Sequence, residues 1–142
     1  SFDYIYSCDV LEHVRAEDFA TLVQHWKRLL KPGGIFAAQV GLDDHISHRN
    51  KTRHKKEYLK FPDWVFRWLI CSDLQYINRL TASAILDCFA GSGFTIVSAA
   101  TERCDITGLK IHPHYMKQSP TDLSAVRLTF NASKREPDNE GT

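Results

Sequence analysis

The order of a strand, a helix, a Pro-Gly-Gly turn and a second strand in the first 42 residues constrains this chain more than any other feature. Residues Phe2–Ser7 form a short apolar and aromatic run, typical of a strand buried on both faces of a parallel sheet. The run Ile35–Leu42 has the same character and directly follows Pro32–Gly34. Two such strands joined through one helix make a right-handed βαβ unit, which predicts an α/β fold.

The connecting helix is predicted from the spacing of its apolar residues. Acidic Glu17 and Asp18 stand near its start, and basic Lys27 and Arg28 stand near its end, as the helix dipole favours. Six apolar side chains fall on a single helical stripe: Phe19, Leu22, Val23, Trp26, Leu29 and Leu30. This stripe is expected to pack against one face of the sheet.

The second half begins with a polar, basic and aromatic stretch, residues 43–80, that we interpret as an insertion or lid beside the sheet. Six cations in this stretch could contact a phosphate group or RNA, but a solvated basic loop is the favoured interpretation. They are Arg49, Lys51, Arg53, Lys55, Lys56 and Lys60. A helix over Ala84–Ala90, capped by Thr81 or Ser83, and strands within 94–102 and 123–133 complete the pattern. Residues 134–142 form a polar tail.

The composition limits the possible partners and cellular location of the chain but does not identify a ligand. The chain is 43% hydrophobic and 25% charged, with a formal net charge of +1, so nothing favours nucleic acid or an anionic membrane as a partner. Four dispersed cysteines, Cys8, Cys71, Cys88 and Cys104, show no metal-binding spacing and no disulfide framework. No apolar run reaches the roughly 20 residues of a membrane span. A cytoplasmic protein with reduced thiols and no metal site is the expectation.

Four segments resemble the carboxyl-terminal half of a class I S-adenosylmethionine-dependent methyltransferase with its Rossmann-like sheet. FDYIYSCDVLEHV resembles that family's fourth strand and the turn after it, and RLLKPGGIFAAQV its fifth strand. DDHISH with YINRLTAS resembles a branch carrying an Asp-His element after the fifth strand. GFTIVSAATER and SAVRLTFNAS resemble the sixth and seventh strands. The resemblance implies a partial sheet with the spatial order 4-5-7-6 and an antiparallel last strand, over residues 1–133 as a single domain part.

The resemblance also implies S-adenosyl-L-methionine as the cofactor and a small molecule as the methyl acceptor. Ligands of open α/β sheets bind outside the carboxyl ends of the strands, where the turn after the first strand lies. The residues carried over as cofactor-binding candidates are Ser7, Cys8, Asp9, Val10, Glu12 and His13. The alternative is that Val10 packs in the core while Glu12 and His13 brace the following helix.

Three residues after the second strand are candidates for catalysis. His45 and His48 could remove a proton from the acceptor, with Asp44 orienting an imidazole. The alternative is that these side chains only stabilise a loop, or that the acceptor needs no base.

The segment ILDCFAGSGFT admits a second interpretation, as the glycine-rich cofactor loop of a DNA amino-methyltransferase formed by Gly91 and Gly93. That loop requires a strand before it and a helix after it. The sequence instead favours a helix before Gly91 and a strand after Gly93, so we expect the two glycines to end a helix.

The fourth-strand resemblance at Phe2–Ser7 further implies that strands encoded ahead of Ser1, with most of the cofactor site, are missing. The isolated chain is then expected to be an impaired enzyme. A competing hypothesis is a non-catalytic fragment or interaction module that self-associates, or pairs with its missing amino-terminal half, through an exposed strand edge.

Overall fold

A four-stranded sheet with helices on one face forms the core of the computed structural model, which describes residues 1–44, 52–62, 64–65 and 76–135. The strands are β1 (Phe2–Cys8), β2 (Leu30–Gly41), β3 (Phe94–Arg103) and β4 (Ala125–Lys134). The helices are α1 (Ala16–Leu29), α2 (Ala82–Gly91) and the short α3 (Pro120–Leu123). Single 3-10 turns lie at Leu11–His13, Glu57–Lys60 and Pro113–Tyr115.

The strand order is β1-β2-β4-β3, with β1 parallel to β2 and β4 antiparallel to both of its neighbours. The predicted α/β class, the 4-5-7-6 order and the antiparallel last strand are therefore confirmed. The β2 strand begins at Leu30 rather than Ile35, because Phe2 pairs with Leu30 and Tyr4 pairs with Ile35. The Pro-Gly-Gly turn thus bulges out of a strand that is already paired, and Gly33 there adopts a φ of 72°, which favours glycine.

Both long helices pack on the same face of the sheet. Phe19 and Val23 of α1 and Phe89 of α2 are buried against Phe36 and Phe130. The predicted stripe on α1 is confirmed in its middle, but Leu29 is exposed and Leu30 belongs to β2. The aromatic rings meet closely: the centroids of Phe89 and Phe130 are 4.9 Å apart and those of Trp26 and Phe36 are 4.8 Å apart.

The strand β1 is an edge strand, and within the described residues it is not buried on both faces. Burial by strands encoded ahead of Ser1 stays a prediction. Strand β1 pairs with β2 alone within the described residues. Ile5 packs against the core, whereas Phe2, Tyr4 and Tyr6 are more than half exposed. Aromatic side chains at this edge therefore lie where another surface could cover them.

The segment 82–91 forms α2, so Ala84–Ala90 is helical as predicted. Thr81, not Ser83, is its cap, because the Thr81 hydroxyl accepts a hydrogen bond from the Ala84 amide at 3.2 Å. After the helix, Gly93 has a φ of 88° and turns the chain into β3. The observed order of helix, glycine turn and strand is the reverse of what a glycine-rich cofactor loop requires.

Candidate acceptor cleft and cofactor turn

The turn after β1 is held closely against the end of β2. The Asp9 amide donates to the Gln39 carbonyl at 2.9 Å, and the Gln39 side-chain amide donates to the Asp9 carboxylate at 3.3 Å. Asp9 has a left-handed φ of 51°, which turns the chain sharply out of the strand. Cys8, Asp9 and Val10 are exposed as a result, and Val10 leaves 52% of its surface accessible. We call residues 7–10 the cofactor turn.

Glu12, two residues beyond that turn, points into the protein. Its side chain is only 2% exposed, and its Oε1 atom accepts a long hydrogen bond of 3.4 Å from the Gly41 amide. The Oε2 atom has no hydrogen-bond partner among the residues that the structure describes. Burial raises the pKa of this carboxyl, and nearby Asp9 adds to the increase.

Asn78 fixes the segment 76–80 to the 3-10 turn that carries Glu12. Its backbone amide donates to the Glu12 carbonyl at 2.8 Å, and its side-chain amide donates to the carbonyls of Leu11 and Val14 at 2.8 and 2.9 Å. His13 adds a further link, because its Nδ1 donates to the Tyr76 carbonyl at 2.8 Å. Every polar atom of the Asn78 side chain is used, since its oxygen accepts from the Leu80 amide.

These elements enclose a cleft at the carboxyl ends of β1 and β2, which we call the acceptor cleft. Its wall combines apolar side chains with three carboxylates and one guanidinium. The lining residues are Glu12, Gly41, Leu42, Asp43, Asp44, Tyr58, Ile77, Asn78, Arg79 and Leu80.

A buried lysine stands behind the cleft wall. Lys56 is 2% exposed, and its Nζ donates to the Leu42 carbonyl at 2.5 Å and lies 3.4 Å from the Tyr58 hydroxyl. Burial lowers the pKa of Lys56 to about 8 and raises that of Tyr58. Arg79 completes this wall, with its Nη1 donating to the Tyr115 hydroxyl at 2.9 Å. Lys56 is therefore a buried part of the fold, whereas the sequence suggested a member of a solvated basic loop.

The structure divides the predicted cofactor residues into two groups. Cys8, Asp9 and Val10 form the exposed part of the cofactor turn, with half-buried Ser7 at its base. Glu12 is buried and lines the acceptor cleft, and His13 bonds to Tyr76 beside it. The side-chain hydrogen bonds that the structure describes for these last two go to Gly41 and Tyr76 and not to the following helix, which the alternative interpretation had them brace. Val10 does not pack in the core.

Of the predicted catalytic residues, only Asp44 lies within the described part of the chain. It lines the cleft, is 4% exposed, and its amide donates to the Lys55 carbonyl at 2.7 Å. His45 and His48 lie outside the described residues, as do Arg49 and Lys51 of the basic stretch. In the described stretches of the chain, none of the helices has the length and apolar character needed to cross a membrane.

Known proteins resemble the chain in sequence and in fold. The family "Methyltransferase domain" matches residues 1–99, well over half of the chain. No curated protein matches it. The solved structures that it resembles include an S-adenosylmethionine-dependent methyltransferase from Methanosarcina mazei, at 14% identity and a TM-score of 0.59, covering 96% of this chain and 61% of the other.

Two further solved structures show the same fold. A putative S-adenosylmethionine-dependent methyltransferase from Listeria monocytogenes is 17% identical with a TM-score of 0.56, covering 96% of this chain and 62% of the other. A putative methyltransferase from Haloferax volcanii was solved in complex with the activator Trm112. It is 16% identical with a TM-score of 0.54, covering 99% of this chain and 57% of the other. The chain thus spans about three fifths of the length of these structures. It belongs to the class I methyltransferases, the Rossmann-like family whose cofactor is S-adenosylmethionine.

Proposed function

We propose that this chain forms the acceptor side of an enzyme that transfers a methyl group from S-adenosylmethionine to a small molecule. One observation carries the proposal: a small, partly enclosed cleft, lined by apolar groups and by three carboxylates, lies beside an exposed turn at the carboxyl end of β1. In open α/β sheets this end of the strands is where ligands bind. Two neighbouring binding surfaces are what a reaction between a cofactor and an acceptor requires.

The exposed turn has the chemistry that an adenosyl sulfonium compound needs. Val10 offers apolar surface to the adenosyl portion, and the Asp9 carboxylate and the Cys8 thiol offer polar groups next to it. Ser7 supports them from the strand. When bound there, S-adenosylmethionine supplies an electrophilic methyl group, and the chain's own residues hold the acceptor in line with it.

Glu12 and His13 act from beneath the turn in this proposal. Their bonds to the Gly41 amide and the Tyr76 carbonyl connect the cofactor turn to the walls of the acceptor cleft. A shift of either wall would therefore move the turn, and in-line transfer tolerates little displacement. Asp44 remains a proposed orienting group for His45 or His48, supported by its burial at the cleft wall.

The test is an NMR titration of the chain, labelled with ¹⁵N, with S-adenosylhomocysteine up to millimolar concentrations. This method detects the weak binding expected of a chain that spans only part of its structural neighbours. We expect saturable shift changes in residues 7–13, and binding at least about tenfold weaker in Val10→Arg. The control is Val97→Arg, which places the same change at a residue of β3 that is 60% exposed.

Two results would contradict the proposal. One is the absence of any response at residues 7–13. The other is a response centred on Gly91 and Gly93, which would instead support the glycine-loop interpretation.

A further inference from the structure

The buried carboxylate of Glu12 is a poorly satisfied polar group in the acceptor cleft. Its Oε1 accepts one long bond from the Gly41 amide, and its Oε2 has no partner within the described residues. Leaving a buried carboxylate oxygen without a donor costs free energy. A group that supplies a proton or a positive charge at this point would recover that cost.

The charges around Glu12 disfavour one class of ligand, the anions. The described lining residues of the cleft carry three carboxylates, Glu12, Asp43 and Asp44, against the single guanidinium of Arg79. Arg79 donates to Tyr115 and lies 5.9 Å from the Tyr58 ring centre. The carboxylates of the described lining therefore outnumber its guanidinium, whichever partners it has. Because like charges repel strongly in a partly dry cleft, an anionic acceptor would bind poorly.

Other titratable groups face Glu12 from every side that the structure describes. Asp9 and His13 belong to its own turn, and Asp9 opposes ionisation of Glu12 while His13 favours it. Asp43 approaches from the residues after β2, since its carboxylate and that of Glu12 both lie beside Gly41. The nearby ammonium of Lys56 is directed at the Leu42 carbonyl instead.

We propose that the acceptor is a small amine, whose ammonium group enters the cleft and gives a proton to Glu12. This inference rests on the proposed function, because it names the substrate class of that reaction. One N–H bond of the ammonium breaks, and its proton passes to Oε2. The nitrogen lone pair that is released then forms the N–CH₃ bond, and the C–S bond electrons return to sulfur. The proton on Glu12 leaves to solvent after the product departs.

The acid strengths favour an amine over an alcohol. An alkylammonium ion has a pKa of roughly 10, close to that of lysine, so a carboxylate can accept its proton with assistance from the surrounding charges. Burial raises the pKa of Glu12, which reduces the difference between the pKa of this carboxyl and that of the ammonium ion. An alcohol is a far weaker acid and would not give up its proton to a carboxylate before attack.

The Gly41 amide provides a direct reporter, because it donates to Glu12. We would titrate the ¹⁵N-labelled chain with ethylammonium, ethanol and acetate at constant ionic strength. Saturable shifts at Gly41 and Leu42 are expected with ethylammonium alone. In Glu12→Gln, which keeps the carbonyl that accepts from Gly41, binding should be at least about tenfold weaker. Asp43→Asn, a milder change at the same wall, should weaken binding about threefold.

The matched control is Glu17→Gln, which removes the same charge from an exposed side chain of α1 and should leave ethylammonium binding unchanged. Ethylammonium binding to the unaltered chain should also weaken as the pH falls through the pKa of Glu12, because a neutral carboxyl attracts no cation. That pH dependence should disappear in Glu12→Gln.

Equal responses to the three probes, or unaltered ethylammonium binding in Glu12→Gln, would overturn the proposal. Titration with S-adenosylhomocysteine separates this failure from failure of the proposed function. A response at residues 7–13 without any ethylammonium site would reject only the amine, whereas an ethylammonium site without that response would reject the methyltransferase reaction.

Discussion

The two ends of the sheet differ in what they bury. Under α1 and α2 the interior is aromatic and apolar, with Phe36, Phe89, Phe94 and Phe130 essentially inaccessible to solvent. At the carboxyl ends of β1 and β2 the interior instead holds charged groups, among them Glu12, Asp44 and Lys56. A domain gains stability from the first kind of burial and loses some to the second.

This difference agrees with the proposal that the reaction takes place at the charged end of the sheet. Buried charges are retained only where hydrogen bonds or ligands compensate them, and the Glu12 carboxylate is compensated by one long bond. In the aromatic core, by contrast, tilted pairs of rings pack with their centroids 4.8 to 5.2 Å apart, so burial there is favourable. Substitutions in the two regions should therefore have different signatures.

The largest effect is expected at the centre of the aromatic core. Phe89 packs against Phe19, Trp26, Phe36, Phe94 and Phe130. Phe89→Ala removes a fully buried ring and leaves a cavity, so we expect a loss of about 4 kcal/mol in the free energy of unfolding. Urea denaturation followed by circular dichroism measures it.

The matched control is Phe2→Ala, the same chemical change at a residue that is 55% exposed. It should alter the free energy of unfolding by less than about 0.5 kcal/mol. Similar losses for both substitutions would mean that the apolar core is not where the chain gains its stability.

A smaller effect with a distinct pH signature is expected for Lys56. Its pKa falls from 10.5 to about 8 on folding, which corresponds to a cost of about 3 kcal/mol for keeping the amine charged. The protonated form is the one that folding disfavours, so stability should rise as the pH increases from about 8 to 10.5. In Lys56→Met that rise should be absent, because no proton is released.

Denaturant unfolding of both proteins at several pH values between 7 and 10 tests this prediction. Lys110→Met changes an exposed lysine and should retain the rise. A stability difference between Lys56→Met and the unaltered chain that stays constant across this range would show that Lys56 is not buried in its charged form.

The sequence predicted the aromatic region far better than the charged one, for a physical reason. Apolar periodicity reports burial, so β2, α1 and α2 were found, with errors confined to boundaries such as the start of β2 at Leu30. Lys56 gave no signal, because a buried lysine and a solvated one occupy the same kind of sequence. The role of Asn78 depends on its long-range contacts with Leu11 and Val14, which no local pattern of the sequence reports.

The same limit applies to the candidate site. Family resemblance predicted a role for the turn from Ser7 to His13, which stays a prediction, but did not indicate that Glu12 faces inward while Val10 faces solvent. Side chains alternate between the two faces of a sheet only as far as the strand extends. Beyond it, the left-handed backbone at Asp9 turns the chain, so the strand pattern no longer predicts which side chains face inward. The catalytic assignments to Asp44, His45 and His48 stay predictions, as does a missing amino-terminal half.

The smallest of the three effects is expected at Asn78, where hydrogen bonds rather than buried area connect the two walls of the acceptor cleft. Asn78→Ala removes the donors to the Leu11 and Val14 carbonyls and the acceptor for the Leu80 amide. We expect a loss of about 2 kcal/mol, concentrated in residues 76–80, because only this segment depends on those bonds. Amide hydrogen exchange at residue 78 and Leu80 should accelerate about 30-fold, while the amides of β4 keep their protection.

Asn131→Ala is the control, since the side-chain amide of Asn131 donates to the Ser98 hydroxyl on the sheet and lines neither wall of the cleft. If exchange in the core strands accelerated as much as at Leu80, the charged region would not be a separate unit, and the contrast between the two ends of the sheet would fail.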